Sequence, residues 1–418
     1  MPKKIAVIGA GVGGLAAAAR LAHDGYDVDV FEKLPELGGR CHLLEVQGFR
    51  FDMGPSFVLM PDLFEEVFSY CGEKISDHLQ LKALETSYRV FYPDGTRTSV
   101  FRDSNRTKDE LERVEPGSAR AFDGFIREVT ELYRTVRPFL YRNFTLRDLA
   151  NPRYWGLLTK LKVLQSYWGL AAKYFKTDKL RYLFTFEAMF MGVSPFDAPA
   201  FYSIISYTDH VQKIFHSMGG MYRIPLALEN IGRKSGARYH YNSAVTAIEQ
   251  KGGASILSMN NRQFIADTVV VNADYAYAKA DLFKDRIPDF EYSCSVLLFY
   301  WGMSRKVPGL EHHNLFFGKN LVGNLNDIFR TGEYTDDPSF YIHVPMVTDP
   351  SLAPAGKEIL YVLVPVPNLK ITREDISAHE ERIKGLVIEK VKAVTGVDVG
   401  GCIDVEQRFY PRDFKGRY

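Results

Sequence analysis

The first fifty residues switch between two kinds of apolar pattern. Ile5 to Ile8 is a short β-branched run closed by glycine, and Leu15 to Ala22 is an alanine-rich stretch. Between them lies Gly9-Ala10-Gly11-Val12-Gly13-Gly14, so the pattern predicts a strand, a tight turn and a helix. A second strand is predicted over Val28 to Phe31, ending at Glu32. Tyr88 to Tyr92 and Thr96 to Phe101 alternate on either side of Pro93-Asp94-Gly95, the signature of a β-hairpin. From about Leu111 to Leu140 the pattern is helical and strongly charged, with Glu115-Pro116-Gly117-Ser118 as the entry to a long helix. A helix through Ile231 follows Gly219 to Pro225, and strands are expected over Ala237 to Tyr241, Val245 to Gln250 and Thr268 to Asn272. Beyond about Ala280, strands rich in Tyr, Phe and Val alternate with Pro-containing loops, which predicts a second, largely antiparallel sheet.

The glycine turn carries the first chemistry. Gly9 permits the turn, Gly11 lets backbone approach a pyrophosphate, and Gly14 allows close packing of helix on strand. Glu32, 23 positions beyond Gly9, is placed to accept hydrogen bonds from ribose hydroxyls. This spacing suits NAD and FAD equally, because both carry adenosine diphosphate. No second Gly-x-Gly-x-x-Gly follows a strand. If the dinucleotide is FAD, a chain with no separate nicotinamide domain passes its electrons to oxygen, a quinone or another diffusible acceptor.

Composition narrows the field. The formal net charge of +1 over 418 residues excludes a generic nucleic-acid binder. Four cysteines without close spacing indicate free thiols and no zinc motif. No signal-peptide pattern opens the chain and no apolar run reaches spanning length, which predicts a cytoplasmic protein with peripheral membrane contact at most. The 29 Phe and 24 Tyr suit a large apolar cavity as well as a core. Residues 151 to 186 carry Arg153, Lys160, Lys162, Lys173, Lys176, Lys179 and Arg181 against Asp178 alone. Tyr154, Trp155, Tyr167, Trp168, Tyr174, Phe175 and Tyr182 are interleaved with them, a combination that fits a helical surface lying on the inner face of the cell membrane.

Glu32-Lys33, then Leu37-Gly38-Gly39-Arg40, then Phe51-Asp52-Met53-Gly54-Pro55-Ser56 resembles the FAD-binding start of the amine oxidase and carotenoid desaturase superfamily. Physically, the paired glycines bring amides close and Arg40 offers a donor fork to phosphate. Gly192-Val-Ser-Pro-Phe196, Gly219 to Pro225, Tyr292 to Ser295, Asp349 to Pro354 and Pro365-Val-Pro367 extend the likeness along the chain. The whole resembles bacterial carotenoid desaturases of the phytoene type, and among them the dehydrosqualene (4,4'-diapophytoene) desaturases.

The resemblance implies an α/β protein, α+β overall. It has a Rossmann-like FAD domain of the amine oxidase and dissociation-inhibitor type over 1–87 and 218–280. A β-sheet substrate domain occupies 88–110 and 281–418, and a helical, membrane-facing region occupies 111–217. It implies FAD as cofactor, held by Gly9, Gly11, Val12, Gly13, Gly14, Glu32, Lys33, Gly38, Gly39, Arg40, Gly54, Pro55, Ser56 and Val245, and no metal. The implied substrate is a linear C30 or C40 polyene precursor, whose saturated carbons lose a hydride to the flavin and a proton to a base. His210, His216, His312, His313 and His343 are base candidates by chemistry alone. Such enzymes continue past a segment like Phe409 to Phe414 into a glycine-rich stretch, whereas this sequence stops at Tyr418, so weak FAD retention is the expectation. A carotenoid isomerase or ketolase-like enzyme shares the same front end. A non-enzymatic lipid-binding protein on this scaffold lacks flavin, and Glu32 with Gly38-Gly39-Arg40 argues against that reading.

Overall fold

The N-terminal β-branched run is strand β1 (Lys4–Ile8), followed by helix α1 (Val12–His23) and strand β2 (Asp27–Phe31). The computed structural model describes residues 2–139, 141, 145–149, 151, 155–259 and 262–417. Leu140, Arg153, Tyr154 and Tyr418, named above, lie outside the described residues. β1 sits in a four-stranded parallel sheet between β2 and Thr268–Val271, and Arg238–His240 extends the β2 side. Both faces of β1 are covered, which explains its unbroken apolar run. Ile5 and Val7 pack with Leu15 and Ala18 of α1, while Ala6 and Ile8 pack with Leu257 and Met259 of an antiparallel meander formed by Val245–Lys251, Ala254–Met259 and Arg262–Ala266. Helix Arg223–Lys234 lies beside α1. Asp29, buried in β2, accepts hydrogen bonds from Arg238 Nε at 2.9 Å and from the His240 ring at 2.7 Å. Burial alone would raise its carboxyl, but the hydrogen bonds from those two partners outweigh burial and hold it below the usual range.

The second sheet has seven strands in the order Ile403–Phe409, Ser295–Met303, Glu358–Val366, Phe340–His343, His313–Phe316, Thr86–Phe91, Arg97–Phe101. All neighbours are antiparallel except His313–Phe316 beside Thr86–Phe91. The hairpin at Asp94-Gly95 therefore belongs to it, with Gly95 at a φ of 80°. One face packs on helix Glu380–Thr395, and the other on Phe49 and Phe51. Two separate cores are thus laid against one another through the segment that follows α1 and β2.

The long helix expected to enter at Glu115-Pro116-Gly117-Ser118 is Ser118–Val136, and a second helix, Ser104–Val114, precedes it. The break falls at Glu115-Pro116-Gly117, where Gly117 takes a φ of 88° and Pro116 lacks the N–H a continuous helix requires. The Glu115 carboxylate instead accepts the backbone N–H groups of Lys176 and Thr177 at 2.7 to 3.0 Å.

The basic and aromatic stretch is less amphipathic than its composition suggests. Tyr167 and Phe175 are fully buried, and Trp168 packs on Tyr182 and Phe196. Lys162 and Lys173 both pair with Glu128, Lys179 with Asp94, and Arg181 with Asp178. Among the described residues, the large apolar side chains left exposed on it are Trp155, Val163 and Leu164, the last wholly exposed. Among the described residues, no helix is long and apolar enough to cross a membrane.

Candidate functional site

The C-terminal ends of β1, β2 and Thr268–Val271 open on a cleft of about 350 Å³, the place where open α/β sheets bind ligands. Of the expected residues, Gly9, Gly11, Val12, Glu32, Lys33, Gly38, Gly39, Arg40, Pro55 and Val245 line it. Gly9 takes a φ of 100°, and a side chain there would meet the Asn272 carbonyl at 2.8 Å. Gly11 is different: its backbone is extended, and a Cβ would meet nothing within 4 Å. The open space over Gly11, at the N-terminus of α1, is a cradle for an anion held by helix amides and dipole.

Glu32 is buried at the end of β2, with Oε2 accepting from the Ala10 N–H at 2.8 Å and Oε1 from the Leu34 N–H at 3.0 Å. Each oxygen keeps acceptor capacity toward the cleft. Arg40 lies at the mouth, its Nη2 2.8 Å from Asp274 Oδ2. Lys33 Nζ stands 5.3 Å from the centre of the Tyr277 ring, and the Tyr277 hydroxyl donates to the Val245 carbonyl at 3.2 Å.

Four expected residues do not line the cleft. A Cβ on Gly14 would fall 2.0 Å from the Gly9 carbonyl oxygen, and one on Gly54 would fall 2.0 Å from that of Arg40. A Cβ on Gly13 would meet the Asn272 side chain at 3.1 Å. These glycines shape the walls through close backbone packing. Ser56 points the other way: its Oγ is 2.7 Å from the Tyr341 hydroxyl, which is 2.7 Å from Nδ1 of His313. That chain leads from the cofactor segment into the seven-stranded sheet. Asn272, Ala273, Asp274 and Tyr277 line the cleft without having been singled out. The polar end of the Thr268–Val271 strand was the available signal for the first three, and nothing in the sequence marked Tyr277.

The histidine candidates divide. His210 lies in the helical region among Phe122, Phe184 and Tyr88, where burial pushes its ring down to about 3. His312, His313 and His343 gather at the second sheet near Tyr341, His216 joins them from the separate strand Phe215–Ser217, and burial holds all four below the usual imidazole range. Asp52 accepts the Met221 N–H at 2.8 Å. Burial outweighs that bond and raises the carboxyl to about 6.

The donors present match an adenosine dinucleotide: an anion cradle over Gly11, a carboxylate placed for ribose, and a guanidinium at the mouth. Comparison with known proteins gives that match a family. The model of the flavin containing amine oxidoreductase family matches residues 12–412. A zeta-carotene-forming phytoene desaturase of Myxococcus xanthus is 41% identical over 88% of this chain and 72% of its own. A 4,4'-diapophytoene desaturase of Staphylococcus haemolyticus is 34% identical over 99% of this chain and 86% of its own. Among solved structures, a putrescine oxidase covers 97% of this chain and 84% of its own at a TM-score of 0.62 and 15% identity. A Rab dissociation inhibitor of Plasmodium falciparum covers 97% and 88% at 0.60 and 12%. These two speak for the fold alone.

Proposed function

The chain belongs to the flavin containing amine oxidoreductase family, and from that premise we propose that it desaturates a linear C30 or C40 carotenoid precursor of the phytoene or 4,4'-diapophytoene type. It is an FAD-dependent oxidoreductase acting on a lipophilic polyene. The observation that carries the reading is its 34 to 41% identity, over nearly the whole chain, to desaturases of both precursor lengths, joined to a cleft whose donors suit FAD.

When bound, FAD supplies the hydride acceptor. The chain's own contribution begins with Glu32, whose oxygens would accept from the ribose, and with the amides that open α1, which would hold the pyrophosphate. Arg40 adds a charged donor at the cleft mouth. A hydrocarbon substrate offers no charge to grip, so its recognition falls to apolar and aromatic walls. Phe57 is one such group, lying 5.4 Å from the His313 ring and 5.2 Å from the Phe190 ring beside the cofactor segment.

Membrane contact is part of the proposal. Trp155, Val163 and Leu164 stand exposed near Lys160, an apolar tip with a basic flank suited to an anionic inner leaflet. The electrons leave to oxygen or a quinone. The test is reconstitution of the purified chain with FAD and liposomes carrying phytoene or 4,4'-diapophytoene, with oxygen or a quinone as acceptor. A product with red-shifted absorption and two hydrogens fewer per step is expected. An unchanged chromophore with both precursors and both acceptors sinks the reading, and an isomer of equal mass converts it to an isomerase.

A further inference from the structure

Three buried histidines outside the cofactor cleft meet at one point. His216 comes from strand Phe215–Ser217, His312 precedes strand His313–Phe316, and His343 ends its partner Phe340–His343. One ring nitrogen from each lies within 4.8 Å of the other two, and none of the three rings is more than 2% exposed. The Nε2 atoms of His312 and His343 are 3.0 Å apart. Nδ1 of His216 has no hydrogen-bond partner, although the ring is completely buried. Buried polar atoms left unpaired are uncommon and call for a reason.

The surroundings resemble those that orient metal ligands. His312 shares a 2.7 Å hydrogen bond with Thr348 through Nδ1, which fixes the ring and leaves Nε2 facing the cluster. The Asp349 carboxylate stands 3.5 Å from His216 Nε2. It is itself held by the backbone N–H groups of Gly219 and Ser351. A carboxylate beside a ligating histidine both aims the ring and offsets the charge of a cation.

We propose that His216, His312 and His343 form a binding site for a divalent cation of the zinc class, with Asp349 as its adjacent carboxylate. Zinc held by nitrogen at about 2.0–2.1 Å sets its ligand atoms roughly 3.4 Å apart, so the triangle closes through side-chain rotation with the strands in place. The cation would tie strand Phe215–Ser217, which pairs with Leu81–Ala83 and runs into Gly219-Gly220, to the seven-stranded sheet. It is a brace between the two cores, distinct from the desaturation chemistry.

The test reads metal, not turnover, so its outcome is independent of the proposed activity. The full chain, purified with its flavin, is stripped with a chelator and titrated with Zn²⁺ or Co²⁺. One equivalent bound per chain is expected, with the intense visible bands of tetrahedral Co²⁺ and a higher melting temperature. His216→Asn and His343→Gln abolish binding, Asp349→Asn weakens it about 10–100-fold, and His379→Asn, outside the cluster, leaves it intact; flavin content reports folding in each. Failure of the unsubstituted chain to bind an equivalent, or a Co²⁺ spectrum without tetrahedral bands, overturns the proposal without recourse to any variant. Binding that survives His216→Asn and His343→Gln in folded protein also overturns it.

Discussion

Arg40 and Asp274 face each other across the mouth of the cleft, the guanidinium Nη2 2.8 Å from the carboxylate Oδ2. The side chains are 67% and 34% exposed, so the pair contributes at most about 1 kcal/mol to stability. Its use is positional, holding a phosphate-binding fork over the opening. Asp274→Asn keeps the cap on the Ala276 N–H and leaves unfolding free energy within about 1 kcal/mol of the parent. Arg40→Ala removes a charge-assisted contact worth about 1.5–3 kcal/mol and raises the Kd for FAD about 10–100-fold. Flavin fluorescence titration decides it; unchanged affinity in Arg40→Ala removes this residue from the site.

Two glycines two positions apart answer to different demands. Gly9→Ala forces a side chain into positive φ and toward the Asn272 carbonyl, which costs about 1–3 kcal/mol of stability. Gly11→Ala has room in the folded chain and changes stability by no more than about 0.5 kcal/mol, but its methyl group occupies the cradle and weakens FAD binding. Chemical denaturation alongside flavin titration separates the two. Equal loss of stability in both variants would show that Gly11 also serves the fold.

Asp52 predicts a pH dependence. Its carboxyl is raised from 3.8 to about 6 by burial, so the folded chain binds a proton more tightly than the unfolded chain. Stability contributed by this group is present at low pH and is lost as pH rises from about 4 to about 6, with a total near 3 kcal/mol. Asp52→Asn keeps an acceptor for the Met221 N–H and removes that slope. Urea unfolding of parent and variant at pH 4, 5, 6 and 7 measures the difference, which should grow with pH and level off above about 6. A constant difference across the series contradicts the assignment.

For the membrane surface, Leu164→Ser and Trp155→Ser each remove an exposed apolar group. If Leu164 enters the lipid, losing it forfeits about 1.5–3 kcal/mol, a fall of about tenfold or more in partitioning to anionic liposomes. Sedimentation with vesicles of matched size reads this, and raised salt should weaken the parent's binding as well. Equal pelleting of parent and both variants dismisses this face as the contact.

The glycine turn, Glu32 and the Gly38-Gly39-Arg40 segment were legible because each is a local demand: a backbone that must turn, an acid at a strand end, a donor beside paired glycines. The strands around them were legible from apolar runs covered on both faces. Tyr277 and the roles of Gly13 and Gly54 were not, since they depend on which atoms of other segments stand where a side chain would lie. The basic and aromatic stretch was only partly legible, for the opposite reason. Its composition carries no sign that Glu128 and Asp94 would neutralise its lysines, or that Tyr167 and Phe175 would turn inward. The histidine cluster brings His312 and His343, at the ends of paired strands, together with His216 from a separate strand about a hundred positions earlier, which no spacing rule anticipates.

β1 lies between β2, made almost at once, and Thr268–Val271, which follows more than 260 residues later. A nascent chain that has just completed β1, α1 and β2 therefore holds a strand with one edge bare and one face uncovered until two thirds of the protein has been synthesised. The meander that shields Ala6 and Ile8 arrives in that same late segment. Contacts this distant in sequence form slowly and leave sticky intermediates, so the yield of soluble protein should depend on chaperones and temperature during expression, and added flavin can rescue it only after residue 271 has emerged.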